Sequence, residues 1–350
     1  MTLGPLMIDL VGPTVSPEER DMLAHPLVGG VILFTRNFES PEQLQELTRS
    51  IHAARNPPLL IGVDHEGGRV QRFRSGFSRL PPARRLGHLF DTDRSAGISA
   101  ARTLGWLMAA ELRAHGVDLS FAPTVDLDYG LNEAIGDRAL HASADVTAQL
   151  AVSYMLGMRD AGMAATAKHF PGHGAVVADS HVVLPVDRRE LADLDADLAP
   201  YRRLIANGLP GVMVAHILLP ALDTAPASLS ARWIRGVLRT ELNFQGAVFT
   251  DDLSMGAVAL GSDIVERCQR ALGAGCDMLL VCNDPDSRSQ ALAGLSTSPD
   301  PASQLRLVRM RGRERLSPAQ LHASAEWPAA QQLLAHLAAA PDLSLTAEGA

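Results

Sequence analysis

What this chain has little of narrows its class before any motif is read. It contains three cysteines in 350 residues. Cys268, Cys276 and Cys282 group near one apolar strand, without C-x-x-C spacing or an evident histidine partner. They read as core thiols and not as a zinc site, and so small and odd a number fits a reducing compartment. Basic residues are in deficit, with 31 Lys and Arg against 39 Asp and Glu and a formal net charge of −8. With no basic excess to neutralise phosphates, a broad nucleic-acid or anionic-membrane surface is not expected. Short basic stretches such as residues 306–315 read as solvated helix faces. No apolar stretch is long and unbroken enough to span a bilayer. The N-terminal MTLGPLMIDLVGP lacks a basic n-region and carries Asp9 inside its apolar run, so it reads as a first strand and not a signal peptide. The expected compartment is the cytoplasm. Also missing are an internal repeat, a domain linker, and a G-x-G-x-x-G turn after the first strand. The last absence argues against a doubly wound nucleotide-binding sheet.

What the chain does have is a steady alternation of apolar runs and helical patterns. Strands are predicted at 7–12, 30–34, 59–64, 118–127, 163–170, 211–217, 246–252 and 277–283. Most are rich in Val, Ile, Leu and Ala without clean alternation, the pattern of parallel strands buried on both faces. Helix starts are signalled by Ser40-Pro41-Glu42-Gln43, a capping box with proline at the first helical position, followed by Leu44, Leu47 and Ile51 on one face. Asp187 to Glu190 has the same spacing, and Ser230 and Ser262 are further candidate caps. Eight strands alternating with helices predict an α/β fold, a single-domain (β/α)8 TIM-type barrel. The barrel is assigned to residues 1–300. Residues 301–350 are expected to form peripheral C-terminal helices of the same domain.

The densest chemistry lies in KHFPGHGAVVADSH, residues 168–181, which holds a lysine, three histidines and a carboxylate. Pro171, Gly172 and Gly174 favour an irregular path, and a loop of this length is uncommon unless it has a job. In a barrel, functional residues project from the C-terminal strand ends. Those ends read Asp64, Asp126 with Asp128, Lys168 with His169, His216, Asp251 with Asp252, and Asn283. In DHEGGRVQRF, Asp64 can accept sugar hydroxyls while Arg69 and Arg72 offer guanidinium forks. In VFTDDLSM, neighbouring carboxylates point to opposite faces. One addresses the pocket while the other caps a turn or orients a partner, and periodicity does not choose between Asp251 and Asp252.

Taken together, KHFPGHG with ADSH behind it, DHEGGRVQRF, FAPTVDLDYG, GDRAL and FTDDLSM resemble the bacterial family 3 glycoside hydrolases. The resemblance implies a retaining exo-β-N-acetylglucosaminidase of peptidoglycan recycling. Such an enzyme removes non-reducing terminal GlcNAc from muropeptide fragments, GlcNAc-1,6-anhydro-MurNAc with or without peptide. It implies Asp251 as the nucleophile of a covalent glycosyl-aspartate intermediate, and His181 paired with Asp179 as the acid/base. The sugar-binding positions it implies are Asp64, Arg72, Arg138, Lys168 and His169. No cofactor or metal is expected. The partner is a small soluble muropeptide or GlcNAc-containing disaccharide, with no nucleic acid and no membrane. An aromatic content of 4% offers few stacking platforms for a long polysaccharide. Two alternatives stand beside this one. A phosphorylase would use the same machinery with phosphate in place of water. A barrel metallohydrolase could draw on His65, His169, His173, His181, His216, Asp179 and Asp251, since zinc wants three protein ligands and an open position. Against it, no H-x-H follows the first strand, and Lys168 beside His169 would repel a cation.

Overall fold

In the computed structural model, which describes residues 2–177, 184–259, 262–296, 298, 300–313 and 316–339, each of the eight apolar runs yields a strand. These are β1 (Leu6–Asp9), β2 (Val28–Leu33), β3 (Leu60–Val63), β4 (Leu119–Ser120), β5 (Ala164–Phe170), β6 (Gly211–Val214), β7 (Ala247–Thr250) and β8 (Leu279–Val281). All pair in parallel, in the order β8-β1-β2-β3-β4-β5-β6-β7. The two outer strands nearly close the sheet: Phe249 bridges Met278, and the Thr250 N–H donates to the Met278 carbonyl at 3.0 Å. The result is one α/β barrel-like domain. Among the described residues, no helix is long and apolar enough to cross a membrane.

Strand parity explains why the apolar runs lack alternation. Even where every position is buried, successive side chains go to opposite faces. Met7, Ile32, Leu60, Leu119, Met213, Phe249 and Leu280 form an inner cluster. Their neighbours Leu6, Ile8, Val31, Ile61, Val212, Val248 and Val281 pack outward among the helices. Glycine is needed inside: a Cβ on Gly30 would lie 2.6 Å from the Met7 methyl.

Local signals succeed and fail for identifiable reasons. The Ser40 hydroxyl accepts from the Gln43 N–H at 3.2 Å and opens the helix Pro41–Ala53, which buries Leu44, Leu47 and Ile51. Ser230 accepts from the Trp233 N–H at 3.2 Å, ahead of the π-helical segment Arg232–Glu241. The cap expected at Ser262 is one residue later: Asp263 accepts from the Glu266 N–H at 2.8 Å. Asp187 is not a cap, because the helix Asp195–Ala206 starts well beyond it. Its carboxylate is taken by Arg189, through the N–H at 3.0 Å and the guanidinium at 2.6 Å. The predicted strand 118–127 is cut short at Ser120, where Pro123 has no N–H to extend a ladder. A short hairpin, His65–Gly67 against Val70–Gln71, was not foreseen. Cys268, Cys276 and Cys282 are free and buried, as expected.

The tail divides in two. Helices Pro318–His322 and Glu326–Ala339 pack outside, with Leu321 against Ala110 and Ala114. The helix Pro301–Arg309 and the turn after it are not peripheral: Leu307 and Met310 join the inner barrel cluster and seal its base. Gln304 clasps both the N–H and the carbonyl of Leu3, at 2.8 and 2.7 Å. Residues 306–313 are only in part a solvated face: Val308, Arg309 and Arg313 are exposed, whereas Arg306 pairs with Asp277 at 3.1 Å. Met310→Ala is therefore expected to lower unfolding stability by about 2–5 kcal/mol, the range for emptying a buried site. Chemical denaturation checks this; a change under about 0.5 kcal/mol, typical of a surface position, would contradict the plug.

Candidate active site

Because all eight strands are parallel, their C-terminal ends open on one face, and the polar strand ends meet there. Lys168 is its centre. The side chain is 2% exposed and its ammonium lies 2.6 Å from Asp64 Oδ1 and 2.7 Å from Glu66 Oε1. Arg138, from the loop after β4, forks onto the same Glu66 at 2.8 and 2.9 Å. Burial opposes each of these charges, but the partners outweigh it. The Glu66 carboxyl is held well below the usual range by Arg138 and Lys168. Lys168 and Arg138 are held above theirs by the facing carboxylates. Arg72 lies loosely against Asp64 at 3.9 Å, and its buried Nε has no hydrogen-bond partner among the described residues.

A second carboxylate organises the histidines. Asp126 accepts from His169 Nδ1 at 2.6 Å and from the His173 N–H at 2.7 Å. This fixes the His169 ring and turns Nε2 toward the Arg138 guanidinium, at 3.4 Å. The imidazole positions of His173 are set by Asn132, whose amide donates to Nδ1 at 2.9 Å. Its Nε2 is buried and has no hydrogen-bond partner among the described residues.

Asp251 and Asp252, equivalent by sequence periodicity, differ sharply in surroundings. Burial pushes the Asp251 carboxyl up, yet the His216 and His169 imidazoles, the Asp252 N–H and Lys168 outweigh it and hold the group below its ordinary value. Asp252 is raised, chiefly by burial. Its Oδ1 accepts from the Ser254 N–H at 3.0 Å, the Ser254 hydroxyl at 2.7 Å and the Cys282 N–H at 3.1 Å, tying the turn after β7 to β8. His216 stands behind the pair. Its Nε2 donates to the Asp252 carbonyl at 2.8 Å, and Nδ1 contacts the Ser228 hydroxyl at 2.7 Å. Burial lowers its basicity.

The structure thus brings Asp64, Arg72, Arg138, Lys168 and His169 into one network, with Asp251 within its electrostatic reach. Asp179 and His181 lie outside the described residues. Asp128 and Asn283 are structural, Asp128 accepting from the Gly130 N–H at 2.8 Å and Asn283 donating its N–H to Asp9 at 2.9 Å. Arg69 serves the loop carbonyl of Glu133 at 3.0 Å. The residue that sequence reasoning passed over is Glu66, whose signal was its place two positions after Asp64. Among the described residues, no group of three or more His, Cys, Asp and Glu side chains could hold a metal ion.

Residues 6–305 match the family described as glycosyl hydrolase family 3, N-terminal domain. A β-hexosaminidase of Thioalkalivibrio sulfidiphilus is 52% identical over 345 residues, 99% of each chain. One of Thiobacillus denitrificans is 54% identical over 313 residues, 89% of this chain and 87% of its own. A crystal structure of NagZ from Neisseria gonorrhoeae in complex with N-trifluoroacetyl-D-glucosamine superposes with a TM-score of 0.92. It is 42% identical, covering 97% of this chain and 99% of its own.

The burial of Glu66 leads to a pH-resolved prediction. A carboxyl with a depressed value in the folded state contributes stability above its unfolded value, ordinarily 4.5, and loses it as pH falls. Glu66→Gln leaves two buried cations short of a counter-charge, a loss of about 3–5 kcal/mol at neutral pH. The gap to the parent protein should narrow as pH drops below that unfolded value. Denaturation at a series of pH values checks it; a gap independent of pH would mean that Glu66 acts only by packing.

Proposed function

The chain belongs to glycosyl hydrolase family 3, and we propose that it is a retaining exo-β-N-acetylglucosaminidase releasing terminal GlcNAc from muropeptide fragments in cell-wall recycling. We read its nearly closed sheet as a (β/α)8 TIM-type barrel with the catalytic unit in residues 1–300, and its compartment as the cytoplasm, where the three thiols stay reduced. The observation that carries the reading is the ion-pair network of Lys168, Asp64, Glu66 and Arg138 at the strand ends, whose Lys168, with the nearby imidazoles, holds the Asp251 carboxyl below its ordinary value.

Retaining hydrolysis needs one group to attack the anomeric carbon and another to protonate the leaving oxygen, then to deprotonate water. In our reading Asp251 attacks, and the positive field that lowers its basicity also keeps its lone pairs free at neutral pH. Asp252 is tied to three donors and braces the turn. Lys168, Arg138, Arg72 and His169 donate to sugar oxygens while Asp64 accepts from hydroxyls, and their mutual pairing fixes them before substrate arrives. His181, with Asp179 orienting its ring, is the acid/base. Histidine suits that task because its ordinary pKa lies near neutrality. The soluble muropeptide or GlcNAc disaccharide supplies the leaving group. Inhibition by a chelator is not expected, and added phosphate should yield no sugar 1-phosphate; formation of that product in preference to hydrolysis would favour a phosphorylase.

Asp251→Ala should lose nearly all turnover while remaining folded, whereas Asp252→Asn should keep more activity at a cost in stability. Trapping with a 2- or 5-fluoro sugar and mapping the labelled peptide tests the assignment. Label on Asp252, or on neither, overturns it.

If His181 protonates the leaving oxygen, its loss should matter most when the leaving group is poor. His181→Ala should retain part of its first step with a nitrophenyl glycoside and be far slower on a disaccharide. Azide, which needs no base, should rescue the second step and give a β-glycosyl azide. Asp179→Ala should show the same leaving-group pattern. The readout is the ratio of the two activities against the parent enzyme; equal losses without azide rescue would reduce His181 to a binding or loop-supporting role.

A further inference from the structure

The arginines at the base of the barrel divide into two sets. Arg306 pairs with Asp277, and Arg311 donates from its guanidinium to the Pro58 carbonyl at 2.6 Å. Arg309 and Arg313 do neither. They line a cavity of about 820 Å³ between this strap and the N-terminal ends of β5, β6 and β7. Arg159 and Arg202 reach it from the helices Ala144–Asp160 and Asp195–Ala206. Among the described residues its lining carries five arginines and one acidic residue, Glu241, in a chain whose net charge is −8.

Arg159, Arg202, Arg309 and Arg313 are exposed, and ion pairs within the protein take up only part of the set. Arg202 has Asp195 at 2.6 Å, but no ion pair joins Arg159, Arg309 or Arg313 to a carboxylate among the described residues. The Nε of Arg311 is buried and has no hydrogen-bond partner among the described residues. The wall is also fixed in place. The Arg313 N–H donates to the Gly162 carbonyl at 2.8 Å, and its own carbonyl accepts from Arg113 at 3.1 Å. Between the arginines the floor is apolar, formed by the half-buried Leu156, Ala164, Ile205 and Leu242, with Met155 and Phe244 buried beneath them. A guanidinium stays charged at any physiological pH and presents a donor fork that matches phosphate and carboxylate oxygens. The volume falls within the range of about 300–1,000 Å³ typical of small-molecule sites.

We propose that this cavity is a second ligand site, for a small amphiphilic anion. A phosphate or carboxylate is held by Arg309, Arg313 and Arg159, and the apolar body of the ligand lies on the floor of Leu156, Ile205 and Leu242. The site opens at the N-terminal strand ends, on the face away from Asp251, so its ligand does not compete with substrate. Three of its arginines, Arg309, Arg311 and Arg313, lie beyond residue 305, where the match to the family ends. The inference does not rest on the glycosidase reading.

Isothermal titration of the full chain with octyl phosphate and with octanoate, below their micelle concentrations, tests the proposal. Saturable binding of either at one per chain is expected, and the stronger of the two identifies the preferred oxyanion. Inorganic phosphate and 1-octanol, each carrying half the chemistry, should bind about tenfold more weakly or worse. The double variant Arg309→Gln/Arg313→Gln should weaken octyl phosphate by about tenfold or more, with hydrolysis of a chromogenic N-acetylglucosaminide unchanged. Arg159→Gln, on a separate helix, should weaken it too, which guards against a local disturbance of the strap. Three results overturn the proposal: no saturable binding of either amphiphile, equal binding by the parent and both variants, or displacement of octyl phosphate by N-acetylglucosamine.

Discussion

The site depends on one arrangement, a lysine ammonium buried between two carboxylates. Lys168 could not remain charged in the barrel mouth alone, since the desolvation of an unpaired ion costs several kcal/mol. Asp64 and Glu66 make the charge tolerable, and Arg138 in turn balances Glu66. These groups come from the end of β3, the segment just after it, the loop after β4 and the end of β5. The network therefore forms only when those strands are in register. Fold and site are coupled through electrostatics: the same ion pairs that make the buried cations affordable also aim them.

Much of this was legible in the sequence, for physical reasons that can be named. Apolar runs without alternation announced strands buried on both faces, and all eight are present. The polar residues at their ends were visible as breaks in hydrophobicity, which located Asp64, Lys168, His169 and Asp251. Partner choice was not legible. Glu66 looked like one charge among several in DHEGGRVQRF, and only the fold shows that it faces Arg138 from a distant loop. Asp187 had the spacing of a helix cap, but capping spacing carries no information about a guanidinium two residues on that competes for the same oxygens. Met310 sat in a charged stretch that read as a surface helix, and nothing local reveals that one methionine there enters the barrel.

The two ends of the barrel divide the work. At the base, the inner cluster is closed by Leu307 and Met310 from the chain's later helices, so apolar packing dominates. At the mouth, the inward positions are polar and paired, and packing gives way to ion pairs. Parallel strands make this separation possible, because every strand enters at one face and leaves at the other. A substitution at the base can therefore change stability without touching the charged network.

The contrast between Asp251 and Asp252 shows how adjacent, identical side chains acquire different chemistry. Both are largely buried, and burial alone would push both carboxyls toward protonation. What separates them is the kind of neighbour. Asp252 is surrounded by neutral donors that consume its oxygens, so burial still prevails and the group remains raised. Asp251 sits in the field of imidazoles and the Lys168 ammonium. These act at a distance, and among the described residues the carboxylate accepts one hydrogen bond, at Oδ1 from the Asp252 N–H at 2.9 Å, so that lone pairs remain uncommitted. A nucleophile must be ionised and must also have a free lone pair. Hydrogen bonds satisfy the first requirement at the expense of the second, whereas a nearby cation held by its own counter-ions satisfies both. By that criterion Asp251, and not its neighbour, suits the nucleophile's part in the proposed mechanism, and the buried lysine that organises the charged network is also one source of the field around it.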